Sequence, residues 1–208
     1  MKSYSIKRMR KECQVIFRVL VGEAVLNLLF SAVFGALRKV LNNGESRTPL
    51  IIAGVFLVLA VLLGGLYLVV SDPKWMMRHT AYGKELARLG NVEELIKEID
   101  AEAEKMDYEC ARFALMRHWM VIYQWSNEAV AGTGAIRSIP VPSRQISRIA
   151  WAKDGNDENN GFLVHVYTVS GEEYEIFAWE QADIEALRQW GAIQEKETYE
   201  FDCADWHV

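Results

Sequence analysis

Residues 50 to 70, LIIAGVFLVLAVLLGGLYLVV, contain no charged side chain over twenty-one positions, and Tyr67 carries the one strongly polar group. At about 1.5 Å per residue, a helix of this length covers the roughly 30 Å hydrocarbon core of a bilayer. In lipid, only a helix or a closed barrel satisfies every backbone N–H and C=O group. The stretch therefore predicts a membrane-spanning helix.

The charges divide the chain into a basic and an acidic part. Residues 1–71 hold nine Lys and Arg against three Asp and Glu, a balance of +6, whereas residues 72–208 hold fourteen against twenty-five, a balance of −11. An acidic domain repels nucleic-acid backbones and anionic headgroups. We therefore expect no nucleic-acid partner, and recognition of lipid headgroups would require a local basic patch.

A second apolar stretch, residues 15–37, is interrupted by Arg18 and by a polar stripe. Glu23, Asn27 and Ser31 recur every four residues, so they share one face of a helix. We expect this stretch to span the membrane as well, forming a hairpin with its stripe turned inward. Small residues on the other span would allow close approach of the two backbones: Ala53, Ala60 and Gly64.

Glu23 is open to two interpretations. An ionisable group within a span is costly and marks a functional site by default, here for ion or proton handling or for a specific partner contact. The structural alternative is that Glu23 lies near the interface and pairs locally, because Arg18 precedes it by about one and a half turns.

Positive charges predict the orientation of the hairpin. Five Lys and Arg precede residue 13, and further cations follow the second span: Lys74, Arg78, Lys84 and Arg88. By the positive-inside rule, both termini lie in the cytoplasm and residues 38–49 contain the outer turn. We therefore expect a multi-pass protein of the cell membrane.

Two further features bear on the compartment. A cleaved signal peptide would explain the basic start, but Arg18 and Glu23 interrupt its apolar region. The cysteines Cys13, Cys110 and Cys203 are odd in number and widely spaced, which does not suggest a disulfide framework. Both observations favour a cytoplasmic main domain.

Helical signals follow the second span. Tyr82 to Leu89 predicts a short helix ended by Gly90, and Asn91 with Glu94 three residues later is typical of a helix start. The next helix is amphipathic, with an acidic polar face, which favours packing on a soluble domain over lying on a membrane. Its apolar face comprises Val92, Leu95, Ile99, Ala103 and Met106.

From residue 111 the pattern changes to alternation, which predicts strands. The six expected strands are 112–117, 119–125, 135–141, 146–153, 161–170 and 172–178. Glu180 to Trp190 then predicts a helix with Gly191 at its end. The expected fold class is α+β: a transmembrane hairpin followed by a small antiparallel β-barrel or curved sheet closed by a C-terminal helix. Several tryptophans should be buried in it, among Trp119, Trp125, Trp151, Trp179 and Trp190.

This order of strands and helix resembles a pleckstrin-homology-like (PH-like) domain. The run from Tyr82 to Leu95, the pair Trp119-Met120 and the stretch from Ile146 to Trp151 resemble an uncharacterised bacterial family of small two-span membrane proteins. The resemblance covers about residues 50 to 190 and implies residence in a bacterial membrane, without an activity to transfer. The expected segments are a basic cytoplasmic N-terminus (1–14), the hairpin (15–71), a helical connector (72–110), the PH-like domain (111–191) and an acidic tail (192–208).

Motifs for catalysis or ligand binding are weak. Gly132-Thr133-Gly134 precedes a strand rather than a helix, so it lacks the context of a phosphate-binding loop. Asp154, Asn156, Glu158 and Asn160 alternate as in a calcium loop, but Asn159 stands where the loop requires glycine and no glutamate closes the site. The tail brings together Cys203 and His207 without a paired zinc spacing, and His118 and His165 lie in or beside predicted strands. We predict no catalytic, cofactor-binding or metal site and no specific small-molecule ligand.

The sequence therefore predicts a non-enzymatic module anchored in the lipid bilayer that binds a protein partner or organises a homo-oligomer. The alternative is a small transport or sensing subunit that uses the stripe of Glu23, Asn27 and Ser31. Headgroup recognition is a third possibility, which the acidic balance disfavours.

Overall fold

The computed structural model describes residues 3–40, 47–126, 135–153 and 161–201. The helices are α1 (Tyr4–Glu12), α2 (Gln14–Val40), α3 (Thr48–Val70), α4 (Pro73–His79), α5 (Ala81–Leu89), α6 (Val92–Ala103) and α7 (Gln181–Ile193). The strands are β1 (Tyr108–Glu109), β2 (Phe113–Leu115), β3 (Trp119–Ser126), β4 (Ala135–Pro142), β5 (Ile146–Lys153), β6 (Phe162–Thr168), β7 (Glu173–Ala178) and β8 (Glu197–Glu200).

Helices α2 and α3 are long and apolar enough to cross a membrane. They pack against each other as an antiparallel pair, with ring contacts between Phe17 and Tyr67 at 5.5 Å and between Phe30 and Phe56 at 5.2 Å. Most of their other apolar side chains are exposed; Leu68, for example, is 69% exposed. Such a surface suits lipid better than water, because large contiguous apolar patches are rare on soluble proteins.

The predicted helix boundaries near residue 90 are confirmed. Helix α5 ends at Gly90, whose φ of 153° is a conformation that favours glycine. Asn91 then begins α6, its side chain accepting a hydrogen bond from the N–H of Glu93 at 3.2 Å. On the inner face of α6, Ile96 and Ile99 are buried, and the predicted Val92, Leu95, Ala103 and Met106 are partly buried beside them.

Helix α1 was not predicted, because the sequence suggested only a basic N-terminal segment. Ser3 caps it by accepting a hydrogen bond from the N–H of Ile6 at 3.1 Å. Its side chains Met9, Ser5 and Arg8 are buried. The short helix α1 therefore precedes α2 in the chain but packs on the domain that follows α3.

The strands form two four-stranded sheets rather than a closed barrel. Their orders are β1-β2-β3-β4 and β7-β6-β5-β8. All described pairings are antiparallel except that of β5 with β8, which is parallel. The expectation of a barrel is not met within the described residues, since β4 and β5 meet at a tight 3-10 turn, Ser143–Gln145, and do not pair with each other. Two strands lie outside the range 111–191, namely β1 and β8.

The main core lies between the two sheets and α7. From α7, Ile184, Leu187 and Trp190 enter it. Trp151 belongs to the same core, whereas Trp119 is buried in the second one and Trp179 is 49% exposed. The expectation that several tryptophans are buried is therefore confirmed.

Gly191 does not end α7 as predicted. The helix continues to Ile193, and Gly191 is buried where a Cβ atom would lie 2.4 Å from Cγ2 of Thr198. The glycine is thus explained by close packing of α7 on β8 rather than by a left-handed cap.

A second core joins the helices to the outer side of the first sheet. Met9 of α1, Met76 of α4, Leu86 of α5 and Ile99 of α6 are fully buried against residues of β2 and β3 such as Val121. The long helices are therefore connected to the sheet through a packed helical layer rather than through a linker alone.

Candidate functional site at the junction of helices and sheet

Glu12 lies where α1 ends and α2 is about to begin, and its carboxylate accepts three backbone hydrogen bonds. Oε2 accepts from the N–H groups of Ala81 at 2.9 Å and Tyr82 at 3.3 Å, and Oε1 accepts from that of Ser138 at 2.7 Å. The donors belong to α5 and β4. One side chain therefore joins the start of the long hairpin to two elements of the folded domain.

The start of α5 explains why a carboxylate fits there. The first N–H groups of a helix have no acceptor within the helix and lie at the positive end of its dipole. Thr80 satisfies one of them by accepting from the N–H of Gly83 at 3.1 Å, while its hydroxyl donates to the carbonyl of Met76 at 2.7 Å. The N–H groups of Ala81 and Tyr82 remain, and Glu12 accepts from both.

Burial dominates the electrostatics of Glu12. It raises the pKa of this carboxyl to about 7, although the three N–H donors and the nearby Arg137 favour the ionised form. Glu12 is therefore poised to titrate near neutral pH.

A cavity of about 400 Å³ adjoins Glu12, between α4, α5 and β4. Trp75 and His79 stack on one wall with ring centroids 4.2 Å apart. On another wall, Glu85 is bonded to Arg88 at 3.1 Å and to Arg137 at 2.9 Å. Three charged residues of the cavity lining, Glu85, Arg88 and Arg137, therefore already have partners within the chain.

The cavity lacks an activated nucleophile among its described lining residues. Cys13 is buried beside Glu12, and burial raises the pKa of its thiol to about 11. Reactive cysteines instead have a lowered pKa in electropositive, partly exposed surroundings. Cys13 therefore does not have the surroundings of a reactive cysteine.

Arg8 forms a second polar cluster one turn before Glu12. Its guanidinium lies 4.1 Å from the ring centroid of Tyr123 and 4.9 Å from that of Tyr4, and it forms an ion pair with Glu109. The two tyrosine hydroxyls lie 2.7 Å apart. Arg8 is 5% exposed, so α1 is fixed to β3 and β1 by a buried cation stacked between aromatic rings.

A basic groove lies close to the end of α3. It has a volume of about 580 Å³ and is lined by three cations, Lys74, Arg78 and Lys84, and one acid, Glu93, together with apolar Met77 and Val92. The acidic balance of residues 72–208 is thus not uniform, because cations collect next to the apolar hairpin. This is the kind of local patch that contact with anionic headgroups would require.

The structure places the three residues of the predicted stripe in different surroundings. Ser31 donates to the carbonyl of Ala53 on α3 at 2.9 Å, and Asn27 donates to the carbonyl of Glu23 at 2.7 Å. Glu23 itself is exposed. The described residues contain no ion pair between Glu23 and Arg18.

Two of the described histidines, His118 and His165, are bound to carboxylates. Nδ1 of His118 lies 2.6 Å from Glu102, and Nδ1 of the buried His165 lies 2.5 Å from Glu173. No group of three potential metal ligands occurs in the part of the chain that the structure describes. Cys203 and His207, and the loops 132–134 and 154–160, lie outside that part.

The sequence was compared with protein-family models and with curated proteins. Neither comparison found a match. The resemblance to two-span bacterial membrane proteins therefore stays a prediction.

Reasoning from sequence missed both Glu12 and Arg8. In the sequence, Arg8 is one of five cations that precede residue 13, and Glu12 is a single acidic residue within that basic segment. A signal was present, because Met9 and Cys13 continue an apolar spacing of four residues into residues 1–14. That spacing indicates a helix with a buried face.

Proposed function

We propose that this chain is a membrane-anchored cytoplasmic protein-interaction or scaffold module without catalytic activity. The carrying observation is the junction at Glu12, which joins the apolar hairpin to α5 and β4 by three hydrogen bonds. A domain held in this way keeps one position relative to its anchor. Tethering also raises the local concentration of a binding module, so weak contacts suffice.

The anchor is the hairpin of α2 and α3, crossing the bacterial cell membrane twice with both termini in the cytoplasm. The lengths, composition and exposed apolar surface of the helices support it. The groove cations Lys74, Arg78 and Lys84 support the orientation, because positive charge next to a span stays on the cytoplasmic side. They would also contact anionic headgroups there.

The cytoplasmic part is a PH-like domain in this proposal. Two largely antiparallel sheets followed by a helix that packs on their common core through Ile184 and Leu187 support it. In such a domain, the terminal helix covers one end of the strands. This part of the proposal rests on the analogy of pattern.

The outer face of β7 is the proposed contact surface. Within the described strands β7 forms ladder hydrogen bonds with β6 alone, and on its other side it approaches β3 without pairing. Glu175 is exposed on its outer side together with Glu173, which is also bonded to His165, and the rings of Phe177 and the exposed Trp179 lie 4.6 Å apart. An outer face with acidic and aromatic side chains suits a basic peptide segment that lies across it.

Site-specific photocrosslinking in living cells tests this proposal. A photoreactive residue in place of Glu175 should capture a reproducible protein partner, whereas one in place of the exposed Glu94 on α6 should not. Replacing Trp179 by Ala should reduce the capture from position 175. Equal capture from positions 175 and 94, or none from either, would contradict the β7 surface, and release of the chain by alkaline carbonate would contradict the anchor.

Transport or sensing through the stripe of Glu23, Asn27 and Ser31 is the second candidate. The exposed position of Glu23 on α2 favours it over a purely structural role. A proton- or ion-handling role requires a titratable group, so Glu23→Gln should abolish it. The scaffold would be favoured if Glu23→Gln leaves the cellular phenotype of the protein unchanged while Trp179→Ala abolishes it.

A further inference from the structure

The contacts between α2 and α3 fix the relative depth of every residue in the hairpin. Phe17 contacts Tyr67, and Ser31 donates to the carbonyl of Ala53. Both helices advance by fourteen residues between these contacts, so the antiparallel register is uniform over this length. Glu23, six residues after Phe17, is therefore level with Val61, six residues before Tyr67.

This register places Glu23 near the middle of the span. The midpoint of α3, Thr48–Val70, is Leu59. Val61 lies two residues from it, a displacement of about 3 Å along the helix. Tyr67, at the level of Phe17, is already much closer to the end of α3. Glu23 is thus near the centre of the proposed bilayer, where reaching the interface requires the longest path.

The carboxyl group of Glu23 has no partner on α3. Glu23 is exposed, and within the described residues no hydrogen bond or ion pair engages its carboxyl group. A carboxyl group in hydrocarbon without a partner is costly, even in its neutral form. Something outside this hairpin must therefore supply a polar group at the same depth.

The surroundings of Glu23 form a continuous seam along α2. Its residues follow one another at alternating intervals of three and four positions, which is the spacing of an interhelical packing seam. Each apolar member is more than 40% exposed: Ile16 at 45%, Val19 at 57%, Leu26 at 43%, Phe30 at 41% and Val33 at 53%. Phe30, the least exposed of them, also contacts Phe56 and so lies at the border between the seam and the α2–α3 contact. We call this set, with Glu23 at its centre, the α2 seam.

We propose that the α2 seam binds the α2 seam of a second copy of this chain, with the two Glu23 carboxyls hydrogen-bonded to each other or to Asn27 across the interface. The proposal rests on the membrane anchoring proposed above. A second copy inserts with the same orientation, so it presents a carboxyl at the same depth, and a two-fold axis along the membrane normal brings identical residues together. Asn27 adds an acceptor, because its amide N–H already donates within its own helix while its oxygen has no described partner.

Photocrosslinking of the full chain in its native membrane tests the seam. A photoreactive residue in place of Leu26 should give a crosslinked dimer, and one in place of Val58, which is 58% exposed on α3, should not. Glu23→Leu should weaken the dimer by between about 3-fold and about 20-fold, the range of single interhelical hydrogen bonds in membranes. Glu23→Gln should retain it, because an amide both donates and accepts.

Each other outcome overturns the proposal. A dimer crosslinked equally from position 58 would indicate crowding, and a different protein captured from position 26 would identify another occupant. A dimer unaffected by Glu23→Leu would remove the carboxyl from the interface. Retention of the chain after carbonate extraction, without a dimer, would reject the seam alone and leave the anchored module intact.

Discussion

The carboxylate of Glu12 accepts a hydrogen bond of 2.7 Å from the backbone N–H of Ser138, across 126 residues of sequence. The bond joins the last residue of α1, two positions before the first long helix, to the middle of an edge strand. With the two bonds from the start of α5, it makes Glu12 the polar centre of the junction between hairpin and domain.

Removal of this carboxylate should weaken the junction. Glu12→Ala leaves three N–H groups without their acceptor, two of them in the buried residues Tyr82 and Ser138. We expect a loss of about 3 kcal/mol of unfolding free energy, since each unsatisfied buried group costs roughly 1 to 3 kcal/mol and some water will enter. Thermal unfolding of the full chain in detergent measures it, with the exposed Glu94→Ala as the neutral control. A loss no larger than that control would show that the junction does not depend on Glu12.

Stability should also depend on pH through Glu12. Its pKa is raised to about 7 in the fold from an ordinary value of 4.5, so the folded chain holds the proton more tightly than the unfolded chain. The stabilisation is complete below about pH 4.5 and is lost as the pH rises through about 7. The difference in melting temperature between wild type and Glu12→Gln, measured from pH 5 to pH 8, isolates this group. Over this range the melting temperature of the wild type should fall relative to that of Glu12→Gln. No relative change, or a relative rise of the wild type, would contradict the raised pKa.

The ion pair of Arg8 with Glu109 should respond asymmetrically to mutation. Arg8 is 5% exposed, whereas the side chain of Glu109 is 41% exposed. Glu109→Ala leaves a buried cation without its counter-ion and should destabilise by about 3 kcal/mol, while Arg8→Met fills the space between the rings and should cost about 1 kcal/mol. Denaturant titration of both variants measures the two losses of unfolding free energy. A larger loss for Arg8→Met than for Glu109→Ala would mean that stacking on Tyr4 and Tyr123 outweighs the charge pairing.

Close packing of α4 on α5 predicts intolerance at Gly83. A Cβ atom there would lie 2.0 Å from the carbonyl oxygen of Met77, which is backbone and cannot rotate away. Gly83→Ala should therefore lower the unfolding free energy by about 2 kcal/mol or more. Gly54→Ala is the matched control, because a Cβ at Gly54 meets nothing within 4 Å. Equal melting temperatures for the two variants would show that α4 and α5 can move apart at Gly83 without loss of stability.

Cysteine labelling tests the proposed orientation. A membrane-impermeant maleimide applied to intact cells should label Ser46→Cys, which lies between α2 and α3 in the sequence. It should label Lys97→Cys on the exposed side of α6 only after the cells are opened. Labelling of Lys97→Cys in intact cells would place the domain outside and reverse the orientation.

Local patterns in the sequence predicted the long helices, the strands and the helix that follows them. The alternation in residues 172–178 matched β7 because one side of that strand is buried, with Ile176 and Ala178, and Gly90 matched the end of α5 because its backbone requires φ of 153°. These features depend on neighbours within one turn or one strand, so a single sequence carries them.

Tertiary structure alone decided the rest. Whether the strands close into a barrel depends on pairing between distant segments, and the described strands instead form two sheets, with β8 added in parallel. That α1 folds back on the sheet, that Gly191 serves packing, and that Glu12 receives three N–H donors depend on contacts far apart in sequence. The sequence by itself determined where apolar surface lies, through hydrophobic periodicity. Which polar groups meet inside the fold was decided by its packing, because buried hydrogen bonds are satisfied across the tertiary structure.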